Sequence, residues 1–457
     1  MKNSISLLPI LIAVFFVNLA DGVEKSQRPN IIFIMADDQG YADLKCYGSK
    51  QQISPAMDQL AAEGLRFTNC YSGSSVCGPS RCVLMTGLHP GHCRRRDNTA
   101  KAHHSDFADR PLVPLAKDDL TVATVLQKAG YVTGGFGKWG LGNPGTTGEP
   151  SKHGFDHFFG YLDQVHAHDY YTDKLWKDDQ YVPLVGNEGK KKETYSHDVI
   201  ADAALDFIRK YQDRPFFLYL PYTPPHGDYV VPDNSLYANK PWKEMVKNYA
   251  AMITRMDGDI AEMMALLKEL NLDENTIVFY TSDNGPNQQF LKDLDSNGPL
   301  RGVKRQSYEG GIRCPMIVRW PGKIKPGSES DYAWTHKDFF ATACELAGVA
   351  VPSGLDSISV LPTLQGKQQP VQKFLYWEMH SPFHQAVRMG NWKAIRWGTE
   401  VPMELYDLNS DLGEENNVAA KHPDIVKQMA NVMLQQRTEN KYWPAIANSR
   451  ANKKKKQ

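Results

Sequence analysis

Short apolar runs alternate with helical patterns along the first three quarters of the chain. Five apolar runs have the length and composition of buried strands: residues 30–35, 131–136, 216–222, 276–281 and 312–319. Four longer segments repeat apolar residues at helical spacing: residues 55–63, 121–129, 196–211 and 244–270. This alternation predicts an α/β fold, in which a large mixed β-sheet is flanked by helices on both faces.

The pattern changes after residue 365, where short alternating runs follow a polar stretch. Three of these runs are typical of strands: residues 374–379, 385–389 and 392–397. A helical pattern at 423–439 follows them. We therefore predict a large N-terminal domain at 23–365 and a smaller C-terminal α+β domain at 366–457, built on a short antiparallel sheet and a closing helix.

Residues 1–22 have the pattern of a secretory signal peptide. A positive start at Lys2 precedes an apolar stretch, and small residues follow at Ala20 and Gly22. The apolar stretch has about sixteen residues, fewer than the roughly 20 that cross a bilayer. No later segment is apolar enough to cross one. We therefore expect no membrane span and an exported protein, either periplasmic or secreted.

The charge balance argues against a nucleic-acid partner. The 457 residues include 52 Lys and Arg against 52 Asp and Glu, so the chain lacks the basic field that nucleic-acid binding usually needs. Lysines at 453–456 form a local basic tail. This tail is either a solvated chain end or a weak attractor of a polyanion.

Carboxylates and an amide follow two of the predicted strands. Asp37 and Asp38 come after the first strand, and Asp283 and Asn284 come after the strand at 276–281. Ligands of α/β sheets bind beyond the carboxyl ends of the strands, so one sheet edge could hold all four side chains. Their oxygen atoms suit a hard divalent cation. Ca²⁺ is favoured, and Mg²⁺ would require a tighter octahedral geometry.

The most specific motif in the chain begins at Cys77 and reads C-x-P-S-R-x4-T-G. It resembles the signature of type I sulfatases, in which this cysteine is oxidised to formylglycine after synthesis. The resemblance extends from Asn30 to Leu408 and implies the alkaline-phosphatase-like fold for the N-terminal, catalytic domain. The other six cysteines have no pairing that the sequence can assign.

The resemblance implies a role for several further residues. Hydrated formylglycine at position 77 would attack sulfur with one hydroxyl and would be a further Ca²⁺ ligand. Arg81, Lys138 and Lys304 match family positions whose cations stabilise the charge on the sulfate. His226 matches the histidine that donates a proton to the leaving alcohol. A formylglycine-generating or maturation enzyme would be a necessary partner.

One position departs from the family pattern. Relatives commonly have histidine where this chain has Gly140, and that histidine helps to eliminate sulfate from the covalent intermediate. Three explanations are open: Asp283 or Asp38 takes the proton alone, another histidine reaches the site, or the protein is a slow or inactive relative. The presence of the other catalytic parts favours a working enzyme.

The leaving alcohol is expected to be a sugar. Arg94 and Arg96 follow the catalytic motif, and His166 and His168 lie in a segment rich in polar and aromatic residues. These four are candidates for substrate binding. They favour a sulfated carbohydrate, with a galactose- or N-acetylgalactosamine-type unit, over a simple aryl sulfate. The sulfated position and the choice between exo and endo action are left open.

Two other functions fit the same sequence. A phosphonate or phosphodiester hydrolase would use the same aldehyde nucleophile. A non-catalytic sulfoglycan-binding protein would account for the glycine at position 140. The favoured hypothesis is a calcium-dependent sulfuric ester hydrolase.

Overall fold

The computed structural model of the protein describes residues 28–98 and 112–449. The predicted signal peptide and the lysine tail lie outside the described residues. No helix in the described part of the chain has the length and apolar character needed to cross a membrane.

The strands of the described chain are numbered in sequence order. They are β1 Asn30–Ala36, β2 Leu65–Phe67, β3 Cys70–Tyr71, β4 Val132–Lys138, β5 His157–Tyr161, β6 Lys174–Lys177, β7 Gln180–Pro183, β8 Phe216–Pro221, β9 Thr276–Ser282, β10 Met316–Arg319, β11 Ser328–Ser330, β12 Trp334–Thr335, β13 Leu375–His380, β14 Phe383–Met389, β15 Trp392–Arg396 and β16 Glu404–Asp407.

The α-helices are numbered in the same way. They are α1 Pro55–Glu63, α2 Cys77–Thr86, α3 Val122–Lys128, α4 Ser196–Lys210, α5 Glu244–Glu269, α6 Leu291–Leu294, α7 Glu309–Ile312, α8 Asp338–Leu346, α9 Leu361–Leu364 and α10 Pro423–Gln435.

Ten strands form one large mixed sheet in the order β11-β2-β10-β9-β1-β8-β4-β5-β6-β7. The central strands β9, β1, β8, β4 and β5 are parallel, whereas β10 and β6 run antiparallel to their neighbours on either side. Every residue of β1, β4, β8 and β9 is buried, as expected for strands covered on both faces. This architecture confirms the predicted fold class.

Alternate residues of β1 enter two different cores. Ile31 and Phe33 pack in one core with residues of α2, α3 and α8, and Ile32 and Ile34 pack in the other with residues of α1, α4 and α5. The side-chain period of two in a strand produces this division. Helices therefore cover both faces of the sheet, as the sequence predicts.

A separate four-stranded antiparallel sheet, β13-β14-β15-β16, forms the C-terminal part. On one face, Met429 and Met433 of α10 pack against it. On the other face, Trp377 packs with Tyr71 and Ile312 of the N-terminal part. The predicted short sheet and closing helix are confirmed, while the boundary at residue 366 stays a prediction.

Two predicted segments are corrected by the structure. The strand predicted at 312–319 begins only at Met316, because Glu309–Ile312 forms the helical turn α7. The closing helix ends at Gln435 instead of at residue 439.

Candidate active site

Four neighbouring parallel strands end at one edge of the large sheet. Asp37 and Asp38 follow β1, Asp283 and Asn284 follow β9, and Lys138 is the last residue of β4. The order β9-β1-β8-β4 makes these ends adjacent. Two hydrogen bonds fix them further: Asp283 N donates to the backbone oxygen of Ala36 at 3.0 Å, and Asp38 N donates to the side-chain Oδ1 of Asp283 at 3.2 Å.

Helix α2 brings Cys77 and Arg81 to this edge. All ten residues of the helix are buried, and it ends at Gly87, which has a φ of 68° and donates its N–H to Val83 O. Arg81 lies one turn after Cys77. Its Nη2 lies 2.8 Å from Asp283 Oδ2 and 3.2 Å from Asp37 Oδ2, so one guanidinium joins the carboxylates of two strands.

Two lysines and a histidine complete the cluster. Lys138 Nζ donates to Asp37 Oδ2 and lies 3.7 Å from Cys77 Sγ. Lys304 Nζ lies 2.6 Å from Asp38, and His226 Nε2 lies 3.6 Å from Asp38 Oδ2. The structure thus brings together the predicted catalytic residues and the predicted carboxylates.

The charges of this cluster influence one another strongly. Burial alone would raise the pKa of Asp37, but the neighbouring His226, Lys138 and Arg81 lower it. Burial and the charge of Asp37 raise the pKa of Asp283. Burial opposes the charged form of Lys304, yet Asp38 and the other acidic groups raise its pKa. The lysine therefore keeps its charge in this enclosed position.

Two oxygen atoms of the cluster are available to a cation. Asp37 Oδ1 and Asn284 Oδ1 are buried and have no hydrogen-bond partner among the described residues. A buried polar atom without a partner costs folding free energy, and binding of a cation would give both oxygen atoms a partner. Side-chain atoms of Asp37, Cys77 and Asp283 also lie within 4.8 Å of one another. These residues fit a hard divalent cation bound by oxygen.

Two amide side chains contact Cys77 from the side. Asn98 Nδ2 donates to Cys77 Sγ at 3.2 Å, and Asn98 Oδ1 accepts from Gly78 N at 2.8 Å. Cys77 Sγ donates to Gln164 Oε1 at 3.1 Å. If residue 77 is formylglycine, Sγ stands for a hydroxyl oxygen of its hydrated aldehyde. Both amides would then contact the nucleophile.

The chain matches the sulfatase family over residues 29–349. The chain belongs to the sulfatase family. A second match, to the C-terminal part of N-sulphoglucosamine sulphohydrolase, covers residues 303–439. The sulfatases are sulfuric ester hydrolases, which confirms the predicted enzyme class.

Named relatives and a solved structure resemble this sulfatase over nearly all of its length. An N-acetylgalactosamine-6-O-sulfatase of Bacteroides thetaiotaomicron is 30% identical, and the match covers 95% of this chain and 99% of that protein. Arylsulfatase A of Homo sapiens is 32% identical, with 91% and 89% covered. The structure of Ps i-CgsB with k-i-k-neocarrahexaose has a TM-score of 0.80 and 28% identity, with 93% and 96% covered.

Of the predicted substrate-binding residues, the structure brings only His168 to the catalytic cluster. Its ring lies edge-on to that of His226, with 4.6 Å between the centroids. Burial lowers the pKa of His168, and the charge of Lys138 acts in the same direction. His168 is partly exposed, so its ring can meet a substrate that approaches His226.

The other three predicted contacts each have a partner within the protein, and their role in substrate binding stays a prediction. Arg96 is fully buried and pairs with Glu378 of β13 at 3.1 Å. Arg94 pairs with Asp119 at 2.7 Å. His166 Nε2 lies 2.7 Å from Thr172 Oγ1.

The sequence analysis did not assign to the surroundings of Cys77 three residues that the structure places there. Asn98 and Gln164 contact its sulfur, and Arg95 donates through Nη1 to Gly140 O and through Nη2 to Asn98 O at 2.7 Å. The cluster of arginines and the polar segment around His166 were the only signals for these residues. Their spacing along the chain does not show which member of each segment points inward.

Proposed function

We propose that this sulfatase hydrolyses a sulfate monoester on a sulfated carbohydrate, with formylglycine at position 77 and Ca²⁺ at the carboxylate cluster. The observation that supports this most is the position of Cys77. Its sulfur lies beside Asp37, Asp283 and Lys138 at the start of a buried helix. A nucleophile at this position would lie between the carboxylates, which can bind a cation, and the lysine, which can bind an anion.

Ca²⁺ and formylglycine would each supply one part of the chemistry. Ca²⁺ bound by Asp37, Asp38, Asp283 and Asn284, with residue 77, would supply positive charge next to the nucleophile and the sulfate. Formylglycine, once hydrated, would supply a hydroxyl that attacks sulfur.

The side chains of the chain itself bind and orient the ester. Arg81 keeps Asp37 and Asp283 at a fixed separation, because its guanidinium bonds to both. Lys138 and Lys304 are the cations that would contact sulfate oxygens, where charge grows during transfer. His226 Nε2 is directed to the same cluster, where it would donate a proton to the leaving oxygen.

A sugar as the leaving alcohol is supported by the relatives and by the site entrance. The Bacteroides relative is named as an N-acetylgalactosamine-6-O-sulfatase, and the Ps i-CgsB structure is a complex with k-i-k-neocarrahexaose. Next to the cluster, the side chain of His168 is partly exposed. The side chain of Arg305, which lies 3.4 Å from Asp97, is 43% exposed, so both can meet a sugar from solvent. We propose a galactose- or N-acetylgalactosamine-type unit at these residues.

The same proposal includes maturation and export. A formylglycine-generating or maturation enzyme would modify Cys77, and removal of residues 1–22 would release a periplasmic or secreted enzyme. The start of α2 is fully enclosed in the folded protein, with Cys77 only 1% exposed. Modification would therefore precede the folding of this segment.

The test is sulfate release from a panel of sulfated galactose and N-acetylgalactosamine units, with phosphate and phosphonate esters beside them. The enzyme is produced together with a maturation enzyme, and mass spectrometry verifies residue 77. We expect release of sulfate from sugars and a loss of at least about 10³-fold in Cys77→Ala, because the nucleophile is gone. Cys46→Ala, at a partly exposed cysteine, is the matched control.

Two results would contradict this function. Full activity of Cys77→Ala would exclude the nucleophile. Faster turnover of phosphonate or phosphate esters than of any sulfate ester would identify a different hydrolase on the same fold.

A further inference from the structure

Gly140 and Gln164 share one small volume beside the nucleophile. Gly140 follows β4 and has a φ of 73°, in the left-handed region that favours glycine. A Cβ atom placed on Gly140 would lie 2.1 Å from Gln164 Nε2 and 3.0 Å from its Cδ. The carboxamide of Gln164 therefore fills the space that any side chain at position 140 would enter.

Gln164 is held by the backbone of the segment that carries it. Gly140 N donates to Leu162 O at 3.0 Å, which ties the end of β4 to the residues just before Gln164. On the other side, Val165 N and His166 N both donate to Asp163 Oδ1, at 2.8 and 2.9 Å. Hydrogen bonds therefore fix the chain both before and after Gln164, and the residue is only 8% exposed.

The two ends of the carboxamide have different partners. Oε1 accepts from Cys77 Sγ at 3.1 Å. Nε2 is buried and has no hydrogen-bond partner among the described residues. A buried N–H donor without a partner is costly, so this donor indicates that a further acceptor belongs at the site.

We propose that Gln164 is an active-site residue that replaces the missing side chain of position 140, holding residue 77 through Oε1 and a sulfate oxygen through Nε2. This inference rests on the proposed sulfatase function. The acceptor that suits Nε2 is anionic, because Lys138 lies at the same sulfur and would attract it. No proton changes place in this role, since a carboxamide donates and accepts hydrogen bonds without titrating.

Gln164 occupies the place that a side chain at position 140 would take. In the described part of the chain, a glutamine contacts Cys77 there, whereas His89 and His92 lie beside Asp356 and His168 lies against His226. Gln164 gives the site a hydrogen-bond donor and acceptor, but not a base.

The first experiment measures binding and does not depend on turnover. The full chain is made without a maturation enzyme, so that residue 77 stays cysteine, and inorganic sulfate is titrated by calorimetry. We expect Gln164→Ala to weaken sulfate binding about tenfold or more, as for loss of a hydrogen bond to a charged group. Gln164→Glu should weaken it further, because it keeps the size but places an acceptor and a negative charge at Nε2.

The neighbouring Val165→Ala is the matched control, since its side chain is 56% exposed on the same turn. Gly140→Ala tests the shared volume. Its Cβ should displace the carboxamide and weaken sulfate binding in the native background, yet add little loss in the Gln164→Ala background. This coupling separates displacement of Gln164 from backbone strain at position 140, which is common to both backgrounds.

Turnover of the matured enzyme gives the second measurement. We expect kcat to fall about 10²-fold in Gln164→Ala, as for loss of one oxyanion donor. Sulfate affinity and kcat in Gln164→Ala and Gln164→Glu that equal those of Val165→Ala would overturn the role of Gln164. Absence of sulfate release by the native enzyme would instead overturn the proposed function, while the calorimetric comparison would still decide the role of Gln164.

Discussion

At the scale of single residues, Asp43 stabilises the loop that carries the carboxylates. It is buried, and it accepts a hydrogen bond from Gly40 N at 2.7 Å and another from Tyr249 Oη at 2.5 Å. Tyr249 Oη also lies 3.2 Å from Asp38 O, so the phenol links Asp43 to the candidate metal ligand. Burial raises the pKa of Asp43 to about 6.

This raised pKa predicts a pH dependence of stability. Between the unfolded value of 3.8 and about 6, the native state keeps a proton that the unfolded chain has released. The free energy of unfolding should therefore fall as the pH rises through this window, by up to about 3 kcal/mol, and then stay level. In Asp43→Asn this contribution should vanish. Urea unfolding of both proteins at pH 4.5 and 7 measures it, and equal pH dependence would contradict the prediction.

Three consecutive arginines show what limits the prediction of site residues. Arg94 pairs with Asp119, Arg95 reaches the backbone at Gly140 and Asn98, and Arg96 pairs with Glu378. Sequence identifies the basic cluster, but the path of the loop decides which side chain faces Cys77. Residues at strand ends, such as Asp37, were easier to predict because the sheet itself fixes their place.

At the scale of elements, a buried ion network joins α7 to the C-terminal sheet. Lys393 of β15 lies 2.8 Å from Glu309 Oε1 and 2.9 Å from Glu414, and all three side chains are buried. Glu309 also accepts from Tyr71 Oη at 2.7 Å. Burial would raise the pKa of Glu309, but Lys393, Arg313 and other cations lower it. Glu309 is therefore charged and depends on its cations.

Removal of Lys393 should destabilise the protein strongly. Lys393→Met leaves Glu309 and Glu414 near each other without their shared cation, and we expect a loss of about 3–5 kcal/mol in the free energy of unfolding. Denaturant unfolding measures it, with Lys421→Met at an exposed lysine as the control. Burial raises the pKa of Glu414 to about 7, and Glu309 acts in the same direction. Addition of Glu414→Gln should recover part of the loss, because it removes the carboxyl group that faces Glu309 once Lys393 is gone. A change below 1 kcal/mol in Lys393→Met, about that of a surface pair, would contradict the role of the network.

The sequence predicted best those elements whose residues are all buried. The strands β1, β8 and β9 are buried on both faces, so their uninterrupted apolar runs mark their ends to within about two residues. The strands β6 and β7 were missed. Both are four residues long and lie at one end of the sheet; β6 has two buried residues and β7 has none, so their patterns are too short and too polar to stand out.

At the scale of the whole molecule, the candidate active site forms only when the large sheet is complete. Asp37 and Asp283 come from opposite parts of the sequence and meet because β1 and β9 pair in parallel register, with Ala36 opposite Ser282. Arg81 then joins them from α2, and Lys304 reaches Asp38 from a loop before α7. Each ligand of the candidate cation site is therefore correctly placed only in the folded state.

Calcium should consequently stabilise the folded state as a whole. A cation that binds only the native protein adds about 2.7 kcal/mol to the free energy of unfolding at a free concentration 100-fold above its Kd. We expect a higher Tm in Ca²⁺ than in EDTA at the same scan rate, and a smaller rise in Mg²⁺. Asn284→Ala should reduce the rise, since it removes a buried oxygen that lacks another partner. Asn416→Ala, at an exposed loop position, should keep it. Equal Tm values in Ca²⁺ and EDTA would exclude a calcium site formed by Asp37, Asp38, Asp283 and Asn284, whereas a larger rise in Mg²⁺ would identify the smaller ion as the native ligand.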